Sequence, residues 1–222
     1  MPESRQPVKM PTPVTPETET MDSIERVGGR LCLDFINTRG SHFDDEAREF
    51  VADYADLVGW LRACDGGLDA RQASRLIAGA REHPRKAADT FAKSRDLRAL
   101  LYRVITARAN DRTPARADLD AFNREAQSAL AHRRIATGAH WHWIWDDESA
   151  LDLPLRLVLA SAVDVLLDDD PSRLRQCPAP DGCGWLFHDS SRNATRRWCS
   201  MQMCGNGAKS RRFQQRRREA GA

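Results

Sequence analysis

The chain has 222 residues, 41% apolar and 30% charged, enough for one full-sized domain plus a small one. The net charge of +2 is unevenly spread: Pro171 to Ala222 holds eleven Lys plus Arg against three Asp plus Glu, a balance of +8, so residues 1–170 sum to −6. The N-terminus lacks the apolar core of a secretory leader, and Leu153 to Leu167 is too short and too broken by Arg156 and Asp164 to span a membrane, so a cytoplasmic protein without a membrane partner is expected. The basic end calls for nucleic acid or another acidic surface, unless it is a solvated tail.

Residues 1–22 carry five prolines and little apolar material, and read as a disordered leader. Gly28-Gly29 marks a turn. In Leu31 to Thr38 (LCLDFINT) the apolar residues fit a strand and a helical face equally well. Asp34, Asn37 and Thr38 are polar residues in that apolar setting. They are candidates for binding a small molecule, and equally for a capping and turn cluster that satisfies buried backbone groups.

A helix is expected from Glu46 to about Cys64, ended by Asp65-Gly66-Gly67. A second runs from Asp69 to His83 and stops before Pro84. A third, Arg85 to Asn110, buries Leu97, Leu100, Leu101, Val104 and Ile105. A fourth follows Thr113-Pro114. The period then changes: in His140 to Trp145 three tryptophans alternate, which predicts a strand with one indole face, paired in a hairpin with Arg134 to Thr137. His140 and His142 share the other face, as metal or ligand contacts or as polar edges of a half-buried strand. The helix Leu153 to Leu167 is apolar on most sides and should be the central one. Three segments result: leader 1–22, an α-rich domain 23–170, and a zinc module 171–222.

The strongest chemical signal is Cys177-x5-Cys183-x15-Cys199-x4-Cys204. Zinc takes four tetrahedral thiolates, and two close pairs on tight turns supply them with little loss of chain entropy. So short a segment has too little apolar material to fold without such a staple. In a reducing cytosol the other cysteines, Cys32 and Cys64, read as core thiols. Trp185-Leu186-Phe187 is β-prone, Asp189 to Asn193 is a turn, and Arg196 to Trp198 returns, which predicts a hairpin. Asn206 then caps a helix through about Glu219. Knuckle, hairpin and helix together describe a treble-clef-like finger. Arg192, Arg196 and Arg197 lie on the hairpin. Lys209, Arg212 and Arg216 form a helical stripe bordered by Phe213 and Arg217. Phe213 and Trp198 either stack on bases or form a small core beside the metal.

Cys183-Gly184-Trp185-Leu186-Phe187, Ser191-Arg192-Asn193, Arg197-Trp198-Cys199-Ser200-Met201 and Cys204-Gly205-Asn206 resemble the bacterial CGNR zinc finger, over about residues 173–216. Gly29 to Thr38, the tryptophan strand and the Leu153–Leu167 helix are similar to the ABATE domain that accompanies that finger. The resemblance implies a zinc-binding, DNA-binding, stress-related transcription regulator, with RNA binding as a second implication. One position departs: where the family name has its arginine, this chain has Gly207. That removes either a phosphate contact or a brace, for instance to the turn carboxylate of Asp189.

Gly205 to Ser210 fails as a phosphate-binding loop, because Lys does not follow the glycine directly. No hydrolase, zinc-protease or dinucleotide motif is present, so no enzyme is expected. The expectation is a mainly α N-terminal domain with a short β-hairpin, plus a small C-terminal treble-clef-like zinc finger holding one structural zinc. Its function is that of a DNA-binding regulator, with a helical domain that senses a ligand or partner, and with homodimerisation to widen a small footprint. An RNA-binding ribbon and a protein-interaction module for the transcription machinery are the alternatives.

Overall fold

A computed structural model describes residues 25–178 and 182–220, without the side chains of Arg212, Gln215, Arg218, Glu219 and Ala220; the expected leader lies outside the described residues. The described chain is mostly helical. Helix α1 spans Leu31–Ile36, α2 Tyr54–Arg62, α3 Ala70–Glu82, α4 Pro84–Ala109 and α5 Arg116–Leu130. Strands β1 (Arg133–Ala136) and β2 (His142–Trp145) form an antiparallel hairpin. Helix α6 (Leu153–Leu167) follows. Strands β3 (Leu174–Gln176) and β4 (Leu186–His188) then pair antiparallel, and α7 (Asn206–Ala220) ends the described chain. No described helix is long and apolar enough to cross a membrane.

Helix α6 is the hub, packing against α1, α2, α4 and α5, as its all-round apolarity predicts. Two helices, α3 and α4, start on local chemistry. Asp69 and Gln72 close a reciprocal capping box at the start of α3, and Pro84 occupies the first turn of α4. The ambiguous Leu31 segment is a helix. It is enclosed by α4, α6 and β4, which buries residues on every side and so erases the helical period.

Two expectations are corrected. The helix expected from Glu46 begins only at Tyr54, where the Asp53 carboxylate accepts the Asp56 N–H at 2.8 Å. Before it the chain is extended: Gly40 donates to the Arg48 carbonyl at 2.8 Å and Phe50 to the Thr38 carbonyl at 3.0 Å. The second correction concerns the finger's hairpin. The β-prone run does form β4, but its partner is β3, not Arg196 to Trp198. Residues 189–196 are instead held irregularly by Asp189, whose carboxylate accepts N–H groups of Ser191 (2.9 Å) and Arg196 (2.8 Å).

The C-terminal segment shares the main core. Leu174 and Leu186 are buried with Leu33, Ile36, Trp60, Leu101 and Leu153. A second cluster joins Trp185, Phe187, Trp198 and Ala208 around Cys177 and Cys199, with Val27 and Phe50 packed against it from the helical side.

Candidate metal centre and basic face

Cys177 follows β3 directly, and its N–H donates to the Trp185 carbonyl at 2.8 Å, which closes the turn that presents Cys183. Cys199 precedes Ser200, whose hydroxyl accepts the Met203 N–H and starts a wide helical turn, Met201–Gly205, that carries Cys204. The four Sγ atoms all lie within 4.8 Å of one another, with Cys183–Cys199 at 3.4 Å and Cys199–Cys204 at 3.6 Å. Zinc–sulfur bonds of about 2.3 Å in a tetrahedron require sulfurs about 3.8 Å apart, so the cage has the right size for one zinc ion. Gly182 leaves that room: a Cβ there would stand 2.6 Å from Cys177 Sγ and 2.6 Å from the Pro178 carbonyl oxygen.

The charges agree. Hydrogen bonds from Cys183 and Cys199 pull the Cys177 thiol far below the ordinary thiol range, and hydrogen bonding to Cys177 pushes Cys183 and Cys199 up. A divalent cation among them is what lets all four be thiolates together. Cys32 and Cys64 are different: burial pushes each up to about 12, which makes them inert.

The basic residues divide. Arg196 turns inward. It lies 4.4 Å over the Phe187 ring, donates to the Trp198 carbonyl (3.0 Å) and the Val27 carbonyl (3.0 Å), and also to the Cys199 carbonyl. The sequence placed it on phosphate; the fold uses it as a pin between finger and helical domain. Arg192, Arg197, Lys209, Arg216 and Arg217 are exposed. The Arg212 side chain lies outside the described residues. Trp198 belongs to the small core, whereas Phe213 is exposed with Arg217 5.9 Å over its ring.

Two clefts adjoin along Thr195–Arg197. One, of about 460 Å³, is lined by Arg197, Trp198, Met201, Gly205 and Lys209 among others. The other, of about 380 Å³, adds Arg175, Gln176, Pro178 and Ala194. Every charged residue lining either cleft is an arginine or a lysine. Arg175 escaped the sequence reading; its position on the strand leading into the first ligand was the available signal. At Gly207 a Cβ would lie 3.4 Å from an Arg211 guanidinium nitrogen, so an arginine one turn later reaches back over that glycine.

The polar side chains near α1 are hydrogen-bonded within the chain. Asn37 and Thr38 are each 1% exposed. Asn37 bonds Leu186 of β4 on both sides of its amide. The Thr38 hydroxyl donates to the Phe35 carbonyl at 2.8 Å and accepts from Arg98 at 2.8 Å. Asp34 accepts the Gly28 N–H at 2.7 Å, and burial raises its carboxyl to about 6. His140 and His142 are exposed on the β1–β2 hairpin, with His142 Nδ1 3.0 Å from the His140 carbonyl. Neither histidine lines the cavity of the helical domain beside α4, whereas Arg98, which bonds Thr38, does. That cavity, about 520 Å³, has His42, Arg39 and Glu49 on one side and Arg95, Arg98 and Tyr102 of α4 on the other. The rings of His42 and Tyr102 stack at 3.8 Å, and burial lowers His42 to about 4. His42 N–H donates to the Cys183 carbonyl at 2.8 Å, and Tyr102 accepts from Gln176, the residue before Cys177, at 2.8 Å.

Such a fold, with a four-thiol cage built onto a helical domain, defines a zinc-finger protein of two joined parts. The chain belongs to the ABATE family, described as "Putative stress-induced transcription regulator", which matches residues 29–169. Residues 173–217 match the CGNR zinc finger. No curated protein matches the chain.

Proposed function

We propose that this chain is a zinc-dependent, DNA-binding transcription regulator. Its finger docks on duplex DNA through Arg175, Arg192, Arg197, Lys209, Arg216 and Arg217, with Arg212 completing the helical stripe. The observation that carries the reading is the pair of adjoining clefts along Thr195–Arg197, whose charged lining is cationic throughout. Cations so placed neutralise phosphates and release counterions, which supplies affinity without sequence information. The helical domain senses a small molecule or partner. The cavity beside α4 supports this, because two residues that line it, His42 and Tyr102, are bonded to Cys183 and to Gln176, the neighbour of Cys177. One finger has a small footprint, so specificity calls for a dimer or second protein. No catalytic step belongs to this reading.

Fluorescence anisotropy with zinc-loaded protein tests it, using duplex DNA and hairpin RNA with and without a strong chelator. Tight, chelator-sensitive binding that favours the duplex is expected. A preference for RNA moves the finger to the RNA-binding class. Feeble binding to both, with zinc in place, assigns the basic face to an acidic protein partner.

A further inference from the structure

The β1–β2 hairpin holds Ile135, Trp141, Trp143 and Ile144 out in solvent, with Trp141 78% and Trp143 54% exposed. An apolar surface of this kind marks an interaction site. Its register pairs Ile135 with Trp143 and Arg133 with Trp145, so these four share one face. Trp141 continues the alternation one step before β2.

Side chains two apart on a strand face are separated by about 6.6–6.8 Å. That is about twice the 3.4 Å rise of stacked bases, so successive indoles on such a face offer stacking surface at a spacing compatible with bases. The hairpin already attracts one planar cation: the Arg133 guanidinium lies 4.8 Å from the Trp143 ring centre and 5.8 Å from that of Trp145. Trp141 and Trp143 are both more than half exposed, so ring surface remains open to solvent.

Charge selects what binds this face. From His132 to Trp145 the sequence holds two arginines, three histidines and no Asp or Glu. The first carboxylate, Asp146, is engaged by His132 at 3.0 Å, Arg134 at 3.4 Å and Arg156 at 3.7 Å. A second copy of this chain would bring the same cations face to face, which opposes self-association through this surface. A flat apolar group attached to a polyanion satisfies both the indoles and the arginines.

We propose that the hairpin stacks an unpaired nucleobase on Trp141 and Trp143. It thereby gives the chain a second contact, for single-stranded nucleic acid, separate from the finger. The inference rests on the nucleic-acid reading above. The test uses full-length, zinc-loaded protein titrated into labelled oligothymidylate and into duplex DNA, with tryptophan quenching read alongside anisotropy. Trp141→Ala and Trp143→Ala should each weaken single-strand binding by about 5- to 150-fold, the range for one lost stacking partner. Both should bind duplex as wild type does, and Trp141→Phe should retain most of the single-strand affinity. An exposed Trp141 makes unfolding a poor explanation for a loss, and a circular dichroism spectrum checks this. Unchanged single-strand binding in both alanine variants overturns the inference, as does a wild type that binds duplex and ignores the single strand. Light scattering in which wild type is dimeric and Trp143→Ala monomeric, with single-strand binding unaltered, makes the face a self-association surface and overturns it too. A wild type that binds neither probe is a distinct result: it removes the nucleic-acid reading itself.

Discussion

Asn37 closes both backbone hydrogen bonds of Leu186: its amide donates to the Leu186 carbonyl at 2.8 Å, and its side-chain oxygen accepts the Leu186 N–H at 3.0 Å. One side chain from the C-cap of the first helix thus behaves as an added rung on the finger's strand. Trp185 reinforces it by donating its indole N–H to the Arg39 carbonyl at 2.6 Å, and His188 donates its N–H to the Gly28 carbonyl at 2.7 Å. The finger is attached to the helical domain along the outer edge of β4.

Asn37→Ala leaves the Leu186 N–H and carbonyl buried without partners. Each orphan costs about 1–3 kcal/mol, so the variant should lose about 2–6 kcal/mol. The urea midpoint measures this, and zinc retention in dilute chelator should fall with it. A variant with unchanged midpoint and zinc retention would show that the bond pair does not join the two parts.

Gly182 is a test of the cage from outside the ligand set. In Gly182→Ala the new methyl meets Cys177 Sγ and the Pro178 carbonyl at 2.6 Å, so the knuckle must open. Zinc affinity should drop roughly 10- to 100-fold, as when groups around a metal's ligands are disturbed. Competition with a chromophoric chelator reads the drop.

Asp34 gives a pH signature. Burial raises its carboxyl to about 6 in the folded chain, against hydrogen bonds from the Gly28 and Gly29 N–H groups that pull the other way. The folded state therefore binds this proton more tightly than the unfolded one. Its stabilising effect is complete below about pH 4 and is lost as pH rises through about 6. Asp34→Asn, which keeps an acceptor for Gly28, should be more stable than wild type at pH 8 by about 1–3 kcal/mol, with the advantage fading towards pH 4. Unfolding midpoints of both proteins across that range show whether the difference closes.

The basic clefts predict a salt dependence. On the proposed DNA-binding reading, Arg197→Ala together with Lys209→Ala removes two phosphate contacts, so the slope of log K against log salt should flatten by about 1.8 for duplex DNA. Arg196→Ala should act differently, lowering stability through the lost Val27 and Trp198 contacts more than it changes the slope. Anisotropy titrations at several salt concentrations separate the two.

Much of this was legible in the sequence, for local reasons. The α3 capping box involves Asp69 and Gln72 alone, and the cysteine spacing reports the cage because ligand pairs sit on short turns. What was not legible depends on residues far apart. Asn37 finds Leu186 across 149 positions, and Arg196 finds Val27 across 169, so neither spacing nor period identifies their roles. Strand β3, three residues long, is too short for alternation to show, and so the partner of β4 was misplaced. The helix expected from Glu46 failed for a related reason: Phe50 keeps a helical spacing to Tyr54, yet it packs edge-on against Trp185 from extended chain, 6.5 Å between ring centres.

The most direct test of the account is metal analysis of the protein purified without added zinc, paired with Cys199→Ser. One zinc per chain is predicted in the wild type. In the variant both the zinc and the ordered environment of Trp185 and Trp198 should be lost, the latter seen as a collapse of near-ultraviolet circular dichroism. A wild type that carries no stoichiometric zinc, or a variant that keeps its metal and its fold, would contradict the four-cysteine centre on which the finger, its clefts and its seam all depend.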